Sequence, residues 1–556
     1  MLSNEKNHQP NQARQIAWEA LKANPTPEVL VIGGGVNGVG LLRDLALNGV
    51  SATLIDSGDF CSGASGASSR MAHGGLRYLE GREFDLVRES ARERNMLLHD
   101  AAHLVKPLEV VVPVLHWVKG LPQTALRFFG LSRTPGPLSF IALKSGLLVY
   151  ERFGAIRRAL PHHKVAVSRS TFPPGTPAAI CSVISYYDGQ LTGPEALIFE
   201  MLEAALTVEG VSAVNHLAWS YQPPGQFILT DPVSNETATL TPRIIINAAG
   251  AAIDQVNARL GLTSQRVRGV KGAHLVLRHP TLHQRMRGRA FYFDDGRGRM
   301  VICLPVEDVV LIGTTEVETR DPQDHSVVAS EIDYLLAALN KLFDDIHVGA
   351  EHLVAVTSGI RPLQASGGSA TQAARDHAMI QDRVGNTPLI SLVGGKWTTF
   401  RAFAQLAADA VLDHLGKART ASTMDRPYPG AGTINLAQLA QRSGLAVERI
   451  EQLYARYGIL ADPIARFCGQ GDDASIDDVP SYSQREIIWL TRHRMALTLE
   501  DMILRRTNLV MTGRLSKATL AHIAAIMADT LGHDDAWASA QSQSCCADPR
   551  ILWNGR

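Results

Sequence analysis

The residues that point most clearly to chemistry form a glycine-rich turn near the start of the chain. Gly33, Gly35 and Gly38 follow the pattern G-x-G-x-x-G, between a short β-branched run and apolar residues at helical spacing. Glycines at these positions allow a tight turn, close approach of the backbone to a pyrophosphate, and packing of a helix on a strand. Asp56 ends the next apolar run, 18 residues after Gly38, where a carboxylate can accept a hydrogen bond from a ribose hydroxyl. Segment 28–56 therefore predicts a βαβ unit that binds a dinucleotide; a turn without a ligand explains the glycines but not Asp56.

Two later turns favour FAD over NAD, which the glycine pattern alone does not distinguish. Residues 247–250 (NAAG) and 394–399 (GGKWTT) each follow an apolar, strand-like run. Small residues after a strand let a loop approach a cofactor closely, and free N–H groups at the start of a helix suit an electron-rich flavin carbonyl. Each turn on its own is also consistent with a plain strand-to-helix connection. Together with the first motif, they predict one cofactor in contact with several strand ends.

Length and composition limit the classes of protein that this chain can be. Its 556 residues predict three or four compact units, and 45% hydrophobic with 19% charged residues are typical of a folded enzyme. Lys+Arg and Asp+Glu both number 54, so the net charge does not favour a nucleic-acid partner. The six cysteines have neither disulfide nor zinc spacing, which favours a reducing cytoplasm and no metal site.

One stretch of the sequence suggests a membrane surface. No run reaches the roughly 18 apolar residues of a spanning helix, and the first 24 residues are polar, so neither a spanning helix nor a signal peptide is predicted. Residues 113–160 contain seven Lys or Arg and one acid, Glu151, with large apolar residues between them. This pattern suits the headgroup region of an anionic membrane. It equally suits a helix pair with an internal apolar face, whose basic side chains extend to water.

Several separate sequence blocks resemble one known family. The blocks are SSRMAHGGLRYLE (68–80), VKGAHLVL (270–277), LIGTTEVE (311–318), SGIRPL (358–363), GGKWTTFR (394–401) and TRHRMALTLEDMILRRT (491–507). The chain thereby resembles the FAD-dependent glycerol-3-phosphate dehydrogenases, within the glycine-oxidase and amine-oxidase-like flavoprotein superfamily. Members of that family oxidise sn-glycerol 3-phosphate to dihydroxyacetone phosphate and pass electrons to a membrane quinone, while some relatives use oxygen.

The resemblance implies an α/β fold with a discontinuous Rossmann-like FAD-binding domain, an inserted mixed β-sheet substrate domain and a C-terminal all-helical domain. Strand-like runs at 289–293, 300–305 and 309–313 predict an antiparallel meander within the substrate domain. The predicted segments are a polar extension (1–24), the FAD-binding domain (25–110, 181–268 and 357–424), the substrate or cap domain (111–180 and 269–356) and the helical domain (425–556).

The family also implies partners and a location. These are a small polyol phosphate as substrate, a quinone as acceptor and peripheral contact with the inner face of the plasma membrane. The sequence does not reveal the oligomeric state, for which a homodimer is the candidate. The implied cofactor is FAD, and the residues expected to contact it are Gly33, Gly35, Asn37, Gly38, Asp56, Ser68, Ser69, Gly74, Gly75, Ala249, Gly250, Gly394, Gly395, Lys396 and Thr398.

Oxidation of a secondary alcohol through a flavin needs a base for the hydroxyl proton. Among the 19 histidines, His73 and His274 lie in family blocks, and an imidazole has a reference pKa of about 6.5, close to operating pH. His73 follows the two serines of the cofactor loop, and His274 lies in a strand expected to face the substrate. The sequence does not choose between them as the base.

A phosphate group requires cations. Arg361 precedes a proline, and its planar guanidinium can bind phosphate oxygens in a bidentate manner. Arg77 beside Tyr78 and Lys396 are further candidates, and Lys396 can alternatively stabilise an anionic reduced flavin. Hydroxyl hydrogen bonds are expected from two adjacent residues in GTTE, namely Thr314 and Thr315.

The chain departs from the family at one position. After Tyr187-Asp188 the family usually carries two aspartates, an alanine and an arginine, whereas residues 192–195 here are TGPE. This departure motivates a different substrate such as erythritol phosphate. The sequence is also consistent with an oxygen-using oxidase and with a flavin-binding protein that has no turnover.

Overall fold

Two large β-sheets, a smaller three-stranded sheet and a mainly helical C-terminal region make up the described part of the chain. The structure is a computed structural model that describes residues 12–79, 83–119, 139–154, 160–296, 299–365 and 377–553, without the side chains of residues 77 and 78. Each large sheet buries its own set of aliphatic side chains, and the C-terminal helices pack against the second sheet.

The first sheet contains six short strands, most of them buried. They are β1 (Val29–Ile32), β2 (Ala52–Ile55), β7 (Val211–Val214), β11 (Ile244–Asn247), β18 (Ala378–Val384) and β19 (Thr387–Val393). Their order is β18-β19-β11-β1-β2-β7, and all neighbours are parallel except β18 with β19. The predicted βαβ unit is confirmed, because helix α2 (Val36–Leu47) connects β1 to β2. Parallel order places the C-terminal ends of β19, β11, β1 and β2 side by side at one edge.

The predicted polar extension, residues 1–24, contains a packed helix in its described part. Residues 12–23 form helix α1 (Gln12–Ala23), which buries Ala17, Trp18 and Leu21 against the first sheet and its flanking helices. Arg14 anchors this helix, because its guanidinium donates to Asp231 at 2.8 Å in a pair that is 3% exposed on both sides. Apolar side chains at helical spacing thus outweigh the polar character of the segment.

The second sheet contains ten strands and is mixed. They are β3 (Met71–Ala72), β4 (Val105–Val114), β5 (Lys164–Ala166), β6 (Ser182–Leu191), β12 (Val267–Leu277), β13 (Ala290–Asp294), β14 (Met300–Val306), β15 (Val309–Gly313), β16 (Val317–Thr319) and β17 (Leu353–Gln364). The predicted meander is confirmed by antiparallel pairing of β13, β14 and β15. Strands β4 and β6 pair within this sheet, although the predicted FAD-binding segments include most of their residues. Ten consecutive residue pairs join these two strands in an antiparallel ladder. This pairing, and not their position in the chain, makes β4 and β6 part of the second sheet.

Smaller elements cover the two sheets. A three-stranded sheet contains β8 (Ala218–Gln222), β9 (Gln226–Thr230) and β10 (Thr237–Leu240). In the described ranges before residue 420, the other α-helices are α3 (Phe84–Asp100), α4 (Phe140–Phe153), α5 (Pro194–Leu206), α6 (Ile253–Arg259), α7 (Pro280–Met286), α8 (Ala329–Leu339) and α9 (Phe400–Leu415). None of the helices in the described ranges combines the length and apolar character needed to cross a bilayer.

The C-terminal region is helical with one short hairpin. Its helices are α10 (Leu436–Ser443), α11 (Val447–Tyr457), α12 (Ala461–Cys468), α13 (Gln484–His493), α14 (Lys517–Leu531) and α15 (Asp535–Ala547), with helical turns at Leu499–Asp501 and Met502–Arg506. Strands β20 (Ser475–Ile476) and β21 (Val479–Ser483) correct the expectation of an all-helical domain. The hairpin forms because Ile476, Val479 and Tyr482 are buried on the helices, while Asp478 adopts the left-handed conformation that its turn requires.

A buried ionic cluster joins the C-terminal region to the first sheet. Asp59, shortly after β2, accepts hydrogen bonds from Arg505 at 2.5 Å and from Arg506 at 2.6 and 2.8 Å. Asp501 accepts from Arg505 at 2.8 Å and forms a 3.0 Å contact with His216. Both carboxylates are fully buried, so two arginines and two acids neutralise one another inside the protein.

We expect Asp59→Ala to destabilise the protein strongly. The substitution leaves two buried guanidinium groups without their shared carboxylate, which costs about 3–5 kcal/mol. The control Asp85→Ala removes an acid that is 97% exposed in its pair with Arg88, and we expect a change below about 0.5 kcal/mol. Urea unfolding of both variants measures the difference; equal midpoints would contradict a supporting role for the cluster.

Candidate active site

The predicted cofactor residues meet at one edge of the first sheet. Four turns follow the adjacent strands β1, β2, β11 and β19, and each contains residues expected to contact FAD. Because neighbouring parallel strands end at the same edge, residues more than 350 positions apart in the chain become neighbours. For example, Asn37 Nδ2 donates to the Gly394 carbonyl at 2.9 Å.

The first turn has no space for side chains at its key glycines. Gly33 has φ of +114°, and a Cβ there would lie 2.6 Å from the Ala248 carbonyl oxygen. A Cβ on Gly38 would overlap the carbonyl oxygen of Gly33. Helix α2 starts at Val36, directly after Gly35, so the N–H groups of its first turn point toward this edge. The backbone therefore forms an open cradle of the kind that a pyrophosphate requires.

Asp56 is fixed by the backbone around it. Its carboxylate accepts from Gly34 N at 2.6 Å and from Gly58 N at 2.8 Å, and burial raises its pKa. A carboxylate held by two N–H groups keeps a defined orientation at the end of β2. It therefore lies where the sequence places the ribose contact.

The turn after β19 also depends on close backbone approach. Gly394 and Gly395 have φ of +81° and +90°, and a Cβ on Gly395 would lie 2.8 Å from the Asn37 amide. Asn37 Oδ1 is buried and has no hydrogen-bond partner among the described residues. Such an acceptor is costly unless a donor satisfies it, so it fits contact with a bound group. In the neighbouring turn, Gly250 has φ of +57° and Ala249 N donates to Asn247.

A long loop, residues 57–70, connects the edge of the first sheet where these turns lie to the second sheet. Ser65 Oγ accepts from Val36 N at 3.0 Å, and Trp397 donates to the Ser65 carbonyl at 2.9 Å. The loop lies on β17, where a Cβ on Gly359 would be 2.6 Å from the Ala67 Cβ. Ser68 Oγ accepts from the N–H of Arg70 at 3.2 Å.

One face of β12 and β17 carries the predicted substrate residues. His274 pairs across the ladder with Thr357, and Val270 pairs with Arg361, so these side chains lie on the same face. Arg361 Nη2 donates to Thr314 Oγ1 at 2.8 Å, and a Cβ on Gly272 would lie 2.6 Å from the same guanidinium. The side chain of Arg361 is 35% exposed.

Two charged residues that sequence reasoning missed lie beside Arg361. Glu316 is 4.0 Å from Arg361 and 3.7 Å from Arg299, and Arg299 also donates to the Thr314 carbonyl at 3.2 Å. Glu316 lies in a family block, but Arg299 has no local signal, since only the fold of β13, β14 and β15 brings it close. The site therefore contains two arginines with one acid between them.

His274 is buried and held by the cofactor loop. A hydrogen bond of 2.7 Å joins its Nε2 to Ser69 Oγ, and its ring lies on Gly313, where a Cβ would overlap it. Burial, together with the charges of Arg361 and Arg70, lowers the pKa of His274 to about 3. The imidazole is therefore neutral near pH 7, and its buried Nδ1 has no hydrogen-bond partner among the residues that the structure describes.

The other predicted site residues differ in their surroundings. His73, Gly74 and Gly75 follow β3, and Thr398 Oγ1 donates to the His73 carbonyl at 3.1 Å, while Lys396 is half-buried. The Thr315 hydroxyl donates to Glu331 at 2.6 Å and accepts from Ala273 N at 2.9 Å, so structural hydrogen bonds occupy it. The side chains of Arg77 and Tyr78 lie outside the described part of the chain.

The departure at residues 192–195 has a structural role. Glu195, in the first turn of α5, pairs with Arg70 at 3.0 Å, and both side chains are nearly fully buried. The Thr192 carbonyl accepts from Arg70 at 3.3 Å. An acid at position 195 therefore neutralises the arginine that follows Ser69 in the loop.

Comparison with known proteins gives the same assignment. Residues 28–410 match the family model described as FAD dependent oxidoreductase, and residues 421–538 match the C-terminal domain of alpha-glycerophosphate oxidase. The chain belongs to the FAD-dependent oxidoreductases. FAD is therefore the cofactor of this oxidoreductase, and the glycine cradle, the fixed Asp56 and the buried Asn37 Oδ1 fit it. When bound, FAD supplies the electron acceptor for oxidation of a substrate.

Individual relatives narrow the comparison. The chain is 31% identical to a glycerol-3-phosphate dehydrogenase of Synechocystis, over 92% of this chain and 94% of that protein. It is 28% identical to the D-erythritol 1-phosphate dehydrogenase of Brucella abortus, over 87% and 94%. The solved glycerol-3-phosphate dehydrogenase of Bacillus halodurans, complexed with FAD, shares the fold with a TM-score of 0.71, 20% identity, and 98% and 99% coverage.

Gly38→Ala is expected to abolish tight FAD binding. The added Cβ overlaps the Gly33 carbonyl and forces the cradle open, whereas Gly146→Ala in α4 meets only ordinary contacts at 3.7 and 4.0 Å and serves as the control. The ratio of flavin absorbance to protein absorbance after purification measures occupancy. A yellow Gly38→Ala protein with the occupancy of the control would contradict the cradle.

The stability of the protein is expected to fall in acid because of His274. Above the ordinary pKa of 6.5 both states hold a neutral imidazole, but between pH 6.5 and about 3 only the unfolded state binds the proton. In this range the free energy of unfolding decreases by up to about 1.4 kcal/mol for each unit by which the pH falls. His274→Gln should remove this contribution in urea unfolding of the holoenzyme across that range. A pH slope identical to that of the wild type would show that His274 titrates normally.

Proposed function

We propose that this oxidoreductase oxidises sn-glycerol 3-phosphate to dihydroxyacetone phosphate with FAD. The observation that carries the proposal is the position of Arg361, beside Thr314 and on the same sheet face as His274. A partly exposed guanidinium next to a hydroxyl suits a phosphate dianion, and the buried face beside it suits a short polyol. Both named relatives at similar identity act, by their names, on a polyol phosphate.

The substrate phosphate would be held by Arg361, with Arg299 adding positive charge. The planar guanidinium of Arg361 donates to Thr314 Oγ1 at 2.8 Å, and this hydrogen bond fixes its orientation. Glu316 lies 4.0 Å from Arg361, so a bound dianion would approach the guanidinium from the side away from this carboxylate. The arrangement supplies binding and orientation, which is most of what the protein adds to flavin chemistry.

The proton of the substrate hydroxyl requires a histidine with a suitable pKa. Because the pKa of His274 is about 3, that imidazole is a poor base near neutral pH. This favours His73 as the proton acceptor and His274 as a neutral hydrogen-bonding group held by Ser69. Lys396, in the turn after β19, would stabilise negative charge that develops near the flavin ring.

An anaerobic substrate panel tests the proposal. Only a true substrate bleaches the visible absorbance of the oxidised flavin, so the purified holoenzyme is mixed without oxygen with sn-glycerol 3-phosphate, erythritol 1-phosphate, glycerol and inorganic phosphate. We expect bleaching by glycerol 3-phosphate and none by glycerol or phosphate. Faster bleaching by erythritol 1-phosphate would favour that polyol phosphate as the substrate. Bleaching by none of them would favour a flavin-binding protein without turnover.

Arg361→Gln should lower kcat/KM for glycerol 3-phosphate about 100-fold, since a hydrogen-bonded charge pair with phosphate contributes about 3 kcal/mol. The loss should appear mainly in KM. Arg383→Gln, which removes an exposed arginine on β18, is the matched control. Equal kinetics of both variants would place the phosphate elsewhere.

We also propose a quinone as electron acceptor and peripheral contact with a membrane through α4. Its buried face contains Leu143 and Leu147, but Ile141, Leu148 and Val149 are 44%, 57% and 40% exposed beside the exposed Lys144. Exposed aliphatic side chains with basic neighbours suit an anionic lipid surface. The basic segments 120–138 and 155–159 of the same predicted stretch lie outside the described residues.

Reoxidation of reduced enzyme by a soluble quinone, compared with oxygen, distinguishes a dehydrogenase from an oxidase.

Leu148→Glu should weaken sedimentation of the protein with anionic lipid vesicles about tenfold, because an apolar side chain that inserts contributes about 1.5 kcal/mol. Leu406→Glu, at a site that is 46% exposed on α9, is the control and should bind like the wild type. Unchanged binding of the Leu148 variant would remove α4 from the membrane proposal.

A further inference from the structure

Three buried polar side chains meet at the turn that carries His73. Arg94 of α3, Tyr150 of α4 and Asp188 of β6 are 4%, 2% and 2% exposed. Asp188 Oδ1 accepts from Tyr150 Oη at 2.5 Å and from Arg94 Nη1 at 2.7 Å, and the same Nη1 lies 2.7 Å from Tyr150 Oη. We name these three residues the Tyr150 cluster.

The Tyr150 cluster binds one specific backbone group. The N–H of Gly74 donates to Tyr150 Oη at 2.8 Å and, at 3.2 Å, to Asp188 Oδ1. The carbonyl of His73 belongs to the same peptide unit, and it accepts from Thr398 Oγ1 at 3.1 Å. Both ends of the peptide between His73 and Gly74 are therefore held, by elements from opposite sides.

Holding both ends of a peptide unit fixes its plane, and with it the direction in which the preceding side chain leaves the backbone. A Cβ on Gly74 would overlap the Tyr150 hydroxyl, so the contact also excludes any larger residue at this position. Thr398 lies in the turn after β19 that is expected to contact the flavin. The clamped peptide therefore ties the His73 turn to the cofactor edge.

From this geometry we infer that Tyr150, supported by Asp188 and Arg94, is a positioning residue for His73. It acts through the Gly74 N–H and does not itself touch substrate. Because the three side chains are buried, the low local dielectric constant strengthens the hydrogen bonds among them. The inference rests on the proposed role of His73 in oxidation of the polyol phosphate.

The chain offers a matched control for the hydroxyl of Tyr150. Tyr186 is 6% exposed and packs edge-on against Tyr150, with ring centroids 6.1 Å apart. Tyr150→Phe and Tyr186→Phe thus each remove one buried phenolic oxygen at neighbouring positions, and both retain the ring. Only the first removes a partner of Gly74.

The first test is kinetic and uses the FAD-loaded full chain. We expect Tyr150→Phe to slow anaerobic flavin bleaching by glycerol 3-phosphate about tenfold, since small misplacement of a reacting group has effects of this size or larger. Tyr186→Phe should bleach at the wild-type rate. In a His73→Gln background, Tyr150→Phe should have no further effect, because a residue that acts only through His73 has nothing left to position. A full additive effect in that background, or equal rates of the two Phe variants, would overturn the inference.

The second test reads the position of the turn without catalysis. Hydrogen exchange of the Gly74 amide, followed in the holoenzyme by mass spectrometry of the peptide that contains it, should accelerate at least tenfold in Tyr150→Phe and stay unchanged in Tyr186→Phe. If no polyol phosphate bleaches the wild-type flavin, the proposed function fails. The exchange result still tests whether Tyr150 holds the peptide between His73 and Gly74. Unchanged exchange in Tyr150→Phe would overturn the inference whatever the substrate is.

Discussion

The path of the loop between β2 and β3 is the constraint on which the rest of the site depends, because this loop must fit against both sheets at once. On the first sheet its Ser65 hydroxyl accepts from Val36 N, and on the second its Ser69 hydroxyl bonds His274. At Gly359 the approach is so close that a side chain has no space. A loop held at these points leaves little freedom for the distance between the glycine turns of the first sheet and the face of β12 and β17 that carries His274 and Arg361.

Paired charges explain why the two charged residues of this loop, Asp59 and Arg70, can be buried. Arg70 pairs with Glu195, and Asp59 is shared by two arginines of the C-terminal region, so each ion inside has its counter-ion. Buried ion pairs add little net stability, but removal of one partner is costly. The C-terminal region is thereby tied to the loop by interactions that cannot be lost singly. The departure at residues 192–195 belongs to this system, since Glu195 provides the acid that Arg70 needs.

The same physical logic separates the two histidines that sequence alone treats as equal. His274 lies under the loop, where burial and two nearby arginines keep it neutral. His73 follows a short edge strand in a turn whose backbone is held from both sides, by Thr398 and by Tyr150. The surroundings of His274 thus suit a fixed hydrogen bond, and for that reason the proposed function assigns proton transfer to His73.

The sequence by itself determined the βαβ unit, the glycine cradle, the position of Asp56 and the meander. Each of these depends on residues within about 30 positions of one another, so their spacing in the chain is enough to predict the geometry. It also indicated Arg361 and both histidines through their blocks. Tertiary structure decided what depends on residues far apart in the chain: the packing of α1, the pairing of β4 with β6, the approach of Arg299 to Thr314, and the burial that lowers the pKa of His274. It also decided that Thr315 is occupied by Glu331. Desolvation and convergence of distant side chains have no local pattern, since they arise only when separate strands and helices close around the same point.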